Sequence, residues 1–432
     1  MARDTDPRLQ NQVIYSVYLR NHTREGTFRA LIPDLDRIRA LGVDILWLMP
    51  IHPIGEKCRK GRLGSPYANR DYRSVNPEYG TEEDFRALVD AIHDRGMKCM
   101  IDVVYNHTSP DSVLWREHPE FFYRRSDGTP GNHVGDWSDI IDLDYTVKAL
   151  WDYQVETLRG WAEIVDGFRC DVASFVPVEF WARARREISE KKPDFLWLAE
   201  SVHRSFSVEC RRRGMYCATD REAYEAFDME YEYDVREAFD RWLDGKGTLG
   251  HWMDLLSFQD FAYPKNYNKL RFLENHDTPR IAPRAGDDLS LENYTALLFF
   301  LKGTTLLYAG QEVAAEHTPS LFDADKVRWD TGKDLTPLMQ KLSRLKKEVL
   351  SPDDLFSAAA DEEQAIAVLR RDGGKTGKLG IFSLRGRPGE TAVDLPDGTY
   401  SELLRGGEVE VRGGRVRCDG EPMWLRVPAG RE

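Results

Sequence analysis

An eight-stranded (β/α)8 barrel followed by a small antiparallel β domain is the fold this sequence predicts. Three observations carry the prediction. Apolar, strand-like runs alternate with amphipathic helical stretches from the first residues to about residue 350. Charged or polar residues recur at the same end of those runs. After residue 350 the texture changes to short alternating segments split by Gly, Asp and Pro.

Taken in order, VIYSVYL (13–19) reads as the first strand. A helical stretch over 28–41 places Leu31, Leu35 and Ile38 on one stripe. DILWLMP is the second strand. Thr81 and Asp84 form a capping box, a hydroxyl followed three residues later by a carboxylate. Phe85, Leu88, Val89 and Ile92 continue from it at helical spacing. MKCMIDVVYNH is the third strand. Residues 108–146 then break the alternation, being rich in Asp, Gly, Pro and aromatics. That is long for a plain connection and reads as an inserted functional excursion. Its aromatics (Trp115, Phe121, Phe122, Tyr123 and Trp137) are expected to form a small core of their own.

The alternation resumes with a helix near 147–164, the strand VDGFRCDV, a helix near 178–190 and the strand DFLWLAES. Strands around 226–230, in KLRFLENHD and in TTLLYAG complete eight. The barrel thus takes residues 1–107 and 147–349, and 108–146 is a short inserted domain after the third strand. Residues 350–432 form a β-sandwich from AIAVLRR, KLGIFSL, TAVDL, EVEVRGGRVRC and MWLRV.

Bulk properties narrow the function. The 432 residues carry a net charge of −13, which argues against nucleic acid and against an anionic membrane surface. The longest apolar run, TALLFFLKGTTLLYAG, is interrupted by Lys302 and Gly303, so no membrane span is expected. No apolar leader precedes Asn11, and the six cysteines lack metal-ligand spacing. Cys99 and Cys170 sit in apolar runs as buried reduced thiols, and a cytoplasmic location is expected. The sequence does not fix the oligomeric state.

The chemistry concentrates at strand ends. In GFRCDVAS (167–174), Arg169 and Asp171 are two apart and share a face of a strand that otherwise looks hidden. A buried ion needs a partner. Four strand ends are polar: Asp102 with Asn106 and His107, Arg169 with Asp171, Glu200, and His276 with Asp277. Barrel enzymes work at this pole. Two carboxylates flanking one bond suit glycoside hydrolysis. Arg169 is expected to favour ionised Asp171, while the apolar FLWLA run and anionic neighbours raise Glu200. Asp171 then acts as nucleophile and Glu200 as general acid/base.

DVVYNH (102–107), GFRCDVAS (167–174), LAES (198–201) and ENHDTPR (274–280) resemble, in order, the four signature regions of the α-amylase family of glycoside hydrolases (family 13). The resemblance spans nearly the whole chain. It implies a retaining mechanism with a covalent glucosyl ester on Asp171, Glu200 protonating the leaving oxygen, and Asp277 holding sugar hydroxyls. It further implies that Arg169 orients the nucleophile. His107 and His276 would bind the same sugar, and Tyr67 would stack beside it. Asp102 matches the first region's carboxylate. Retention requires the Asp171 and Glu200 carboxyls to lie roughly 5–5.5 Å apart.

Departures matter too. Ser174 and Phe175 stand where many α-amylases carry Lys and His, which implies a different leaving-group subsite. The same change weakens the case for calcium. The RNHTREGTF stretch lacks an acidic metal-binding ladder. No cofactor or obligatory metal is expected, and Asn106 is read as a loop hydrogen-bonder. Val172 resembles enzymes that accept α-1,6 or mixed linkages, and Asp144 in IIDLDYT replaces a frequent Asn. The expected activity is retaining hydrolysis of α-1,4 bonds in starch or maltodextrin, with an α-glucan or malto-oligosaccharide as substrate. The alternatives are an oligosaccharide-specific α-glucosidase, including α-1,6 action, or a 4-α-glucanotransferase.

Overall fold

The computed structural model describes residues 4–374 and 376–430. Eight parallel strands close into a barrel: β1 (Val13–Val17), β2 (Ile45–Leu48), β3 (Lys98–Val103), β4 (Gly167–Cys170), β5 (Leu196–Ala199), β6 (Met229–Tyr231), β7 (Lys269–Arg271) and β8 (Thr304–Tyr308). Each pairs with its neighbours in chain order, and β8 returns to β1. Their residues are buried throughout, apart from half-buried Lys98. Helices cover the outer face, so the strands are buried on both faces, and the alternation of a half-exposed sheet is missing.

The helices follow from local signals. Thr81 Oγ1 accepts from the Asp84 N–H at 3.2 Å, and Asp84 Oδ2 accepts from the Thr81 N–H at 3.1 Å. The helix Glu82–Asp94 starts from that box and buries Phe85, Leu88, Val89 and Ile92. Helices Lys148–Ala162 and Val178–Ser189 lie where the sequence puts them. The stretch 28–41 departs from expectation. It is Phe28–Leu31, a 3-10 turn Ile32–Asp34, then Leu35–Ala40. Pro33 has no N–H to donate and its ring crowds the preceding turn, so one continuous helix cannot form. Leu31, Leu35 and Ile38 are still buried.

A short ladder of His107–Thr108 with Ile141–Asp142 pins the excursion at its ends. Phe121 and Phe122 are buried inside it, with Trp115 edge-on to Phe122 at 5.2 Å. Trp137 does not join this core; it faces the barrel mouth.

The C-terminal part holds β9 (Leu355–Asp361), β10 (Ile366–Gly373), β11 (Thr376–Ser383), β12 (Gly389–Ala392), β13 (Gly398–Ser401), β14 (Glu408–Arg412), β15 (Arg415–Cys418) and β16 (Met423–Pro428). One antiparallel sheet runs β9-β10-β11-β16 and a second runs β12-β15-β14-β13. Gly413 and Gly414, with φ of 58° and 67°, make the two-residue turn between β14 and β15, which needs positive φ at both positions. The two sheets enclose Ile381, Val411, Val416 and Leu425. The first sheet also packs on the barrel, with Trp424 and Phe382 against Phe300 at 5.0 and 5.9 Å. No helix among the described residues is long and apolar enough to cross a membrane.

Candidate active site

The four polar strand ends converge on one guanidinium. Asp102 and Arg169 are register partners on β3 and β4. Arg169 Nη1 donates to Asp102 Oδ1 at 3.0 Å and to Asp171 Oδ1 at 2.8 Å. Its Nη2 lies 2.6 Å from Glu200 Oε1. Arg169 is fully buried, and the rings of Trp47, Tyr67 and Tyr231 surround it at 5.2, 5.6 and 5.4 Å. The charged pair in GFRCDVAS is hidden because three carboxyls and three rings replace the water it loses.

After Asp171 the chain turns sharply. Val172 has φ 35°, a left-handed conformation that costs a β-branched residue energy. The turn aims the Val172 N–H at Glu200 Oε2, 2.8 Å away.

The opposite wall comes from the loops after β2 and β7. Tyr67 Oη donates to Asp102 Oδ2 at 3.1 Å and lies 2.7 Å from His276 Nε2. The two rings stack with centroids 5.4 Å apart. His276 Nε2 is 3.0 Å from Asp277 Oδ2, and His107 Nε2 is 3.9 Å from Asp171 Oδ2. Tyr67, His107, Asp171, Glu200 and Asp277 line a cavity of about 310 Å³. Asp102, Arg169 and His276 lie behind that lining and hold it.

Electrostatics follow from four carboxyls facing so little positive charge. Burial raises Asp171 and Glu200 each to about 7, with Arg169 opposing. Burial likewise raises Asp102 to about 6. Burial pushes Asp277 up as well, but the adjacent His276 outweighs it and the carboxyl ends below its ordinary value. Burial works against a charge on His276, and Asp277 overcomes it, so that imidazole is raised. Burial lowers His107. Arg169 favours ionised Asp171, and burial and anionic neighbours raise Glu200, as expected; the same guanidinium also touches Glu200, and burial outweighs it at both carboxyls. Both carboxyls are thus pushed toward the protonated form, and the pair titrates as one unit.

Several residues at the site escaped sequence reasoning. Trp47 shows in DILWLMP only as one more apolar residue. Lys60 and Trp137 line the cavity from loops remote in sequence. Trp137 also meets Phe175 and Phe206 at 6.3 and 6.4 Å, forming a ring cluster where the departures at Ser174 and Phe175 point. Asn106 Nδ2 is 3.2 Å from His107 Nδ1, which is loop hydrogen bonding. Nearby, Asp142 Oδ2 takes both the main-chain N–H and the ring Nδ1 of His133 at 2.7 Å. With the apolar ring of Phe175 beside them, these groups form a hydrogen-bonded clip.

Comparisons with known proteins agree with this geometry. The profile of the alpha amylase catalytic domain matches residues 5–128 and 133–354, and that of the bacterial alpha amylase C-terminal domain matches 357–425. The chain is 28% identical over 315 residues to alpha-amylase MalA of Haloarcula japonica, covering 70% of this chain and 44% of that one. It is 28% identical over 396 residues to alpha-1,4-glucan:maltose-1-phosphate maltosyltransferase 1 of Streptomyces coelicolor, covering 82% and 55%. The chain therefore spans about half the length of these curated relatives or less. Among solved structures, an alpha-amylase from Lactobacillus plantarum aligns with TM-score 0.93 and 46% identity over 98% of this chain and 100% of that one. A noncanonic maltogenic alpha-amylase, AmyB, from Thermotoga neapolitana aligns with TM-score 0.86 and 31% identity over the same shares.

Proposed function

The chain belongs to the α-amylase family, and from that premise we propose that it is a retaining enzyme cleaving α-1,4-glucosidic bonds in starch or maltodextrin. The observation that carries the reading is the shared contact of Arg169 with Asp171 and Glu200, at 2.8 and 2.6 Å. One guanidinium holds both carboxyls on one side of a small cavity, which supports the close pairing that retention calls for.

Asp171 Oδ attacks C1 of the sugar while the C1–O bond breaks. Glu200 gives its proton to the departing oxygen. The cation developing at C1 favours the ionised form of Asp171, so the proton stays on Glu200. Water then attacks C1, Glu200 takes back a proton, and Asp171 leaves. Asp277, with His276 behind it, binds hydroxyls of the same sugar. His107 adds a neutral hydrogen-bonding group, and Tyr67 gives it a stacking face.

A transferase reading has its own support. Trp137, backed by Phe175 and Phe206, makes an apolar wall of the cavity that Val172 and Glu200 also line. Such a wall favours a sugar over water as acceptor, and the similarity to maltosyltransferases fits it. The six cysteines are free and five are buried, which suits a reducing compartment, so the reading places the enzyme in the cytoplasm.

Proton NMR of maltoheptaose turnover tests the reading. Products that first appear as α-anomers support it. Products longer than the substrate move the enzyme to the transferases. β-Anomers exclude retention, and no turnover of any α-glucoside overturns the reading.

A further inference from the structure

Four loops are sewn together on one side of the cavity. Lys60 Nζ donates to the Asp136 carbonyl at 3.0 Å and lies 3.2 Å from Asp139 Oδ1. The Leu63 N–H donates to the Phe322 carbonyl at 3.0 Å. Arg62 donates from its main chain and its Nε to Asp323 Oδ1, each at 3.1 Å. Beneath them Arg20, just after β1, is 2% exposed. Its Nη1 donates to the carbonyls of Gly64 and Leu321 at 3.1 and 3.3 Å. The loops meet closely because residue 61 has no side chain. A Cβ on Gly61 (φ 63°) would stand 2.5 Å from the Cβ of Phe322. Lys60, Leu321 and Phe322 line the cavity from this strap.

Barrel order fixes where the strap stands. Glu200 follows β5, which lies across the closed ring from β1, and β2 and β8 flank β1. Arg20, residues 60–64 and Phe322–Asp323 follow β1, β2 and β8, so this part of the strap faces Glu200 from the far side, and Asp136–Asp139, after β3, ties it to the excursion. Glu200 protonates the oxygen of the departing chain, which therefore leaves on the Glu200 side. The sugars that stay attached through Asp171 point the other way, into the strap.

We infer that residues 60–64, locked to Phe322–Asp323 and to Asp136–Asp139, confine the enzyme to the non-reducing ends of α-glucan chains. The whole cavity, about 310 Å³, is at the small end for ligand sites and holds roughly one or two hexoses. This specificity rests on the retaining α-glucan reading above and adds chain-end selection to it. Lys60 and Phe322 set how far the retained end can extend.

Two substrates test it: maltoheptaose, and maltoheptaose whose non-reducing glucose carries a 4,6-O-ethylidene cap. Wild-type enzyme is expected to cleave the uncapped chain about 100-fold faster, in the range a shaped pocket achieves against added bulk. The double variant Lys60→Ala/Phe322→Ala should gain roughly tenfold on the capped chain and release longer products from the uncapped one. Equal cleavage of both chains by wild type overturns chain-end selection and leaves the retaining reading standing. A resistant capped chain with no gain in the double variant overturns the role of the strap. Failure to cleave either chain, or any other α-glucoside, removes the retaining reading and the strap's role with it.

Discussion

Val172 donates its main-chain N–H to Glu200 Oε2 at 2.8 Å, and it does so from the left-handed region, with φ at 35°. The turn that presents Asp171 thus also anchors Glu200. Val172→Gly keeps the N–H and fits this φ better, so stability should stay within about 1 kcal/mol of wild type in denaturant unfolding. Val172→Pro removes the N–H and forces φ near −65°, so activity should fall by about 100-fold or more. A Gly variant as damaged as the Pro variant would mean that the side chain, and not the backbone, matters here.

Asp171→Asn should lower turnover of maltoheptaose by roughly 10⁴-fold or more with the fold intact by circular dichroism. Glu200→Gln should lose about 10²- to 10⁴-fold on the same substrate. On α-maltosyl fluoride the Glu200 variant should lose far less in the first step, because fluoride departs without a proton. Equal losses on both substrates would remove Glu200 as the proton donor.

The same residue predicts a stability trend. Burial holds the folded Glu200 carboxyl at about 7, against an ordinary value of 4.5. Between those values the folded chain binds the extra proton, so wild-type stability falls as pH rises through that window. Glu200→Gln lacks this loss. Its melting temperature relative to wild type should therefore climb between pH 5 and pH 8, followed by differential scanning fluorimetry. A difference that is flat with pH contradicts the raised carboxyl.

Arg169→Met leaves Asp102, Asp171 and Glu200 buried without their shared cation. The expected cost at pH 8 is about 3–5 kcal/mol, the usual loss when one partner of a buried pair is removed. At pH 5 the carboxyls can take up protons and the cost should shrink. Urea unfolding at the two pH values checks both the size and the sign.

The barrel was legible because its strands are buried on both faces and four of the runs end in charged or polar residues. The capping box at Thr81 and Asp84 needed only three residues of sequence. Where local signals compete the reading failed: the stripe of Leu31, Leu35 and Ile38 reads as one helix, and Pro33 divides it. β9 was missed because LFSAAAD is rich in Ala, a weak strand former, and β13 because GTYS is a short, mostly exposed edge. Asp171, Glu200, Asp277 and their partners stood out because four polar ends recur at one pole. Lys60 and Trp137 did not, because their places depend on contacts such as Lys60 with Asp136 and Asp139, between loops far apart in the chain. The contact of Arg169 with Glu200 was missed for a related reason. Strand alternation pairs it with Asp171, but only the closed barrel brings Glu200 to its other nitrogen.

The pairing of β8 with β1 and the seating of Trp424 against Phe300 have a consequence for how the protein is made. While a ribosome is still translating the first 300 residues, β1 has an unpaired edge and the barrel stands open. Emergence of Thr304–Tyr308 supplies the missing stave, yet the cover over Phe300 is complete only once Phe382 of β11 and Trp424 of β16 have arrived. The nascent chain thus carries a sticky edge and a bare aromatic patch through most of its synthesis. The arrival of β16 ends this exposure.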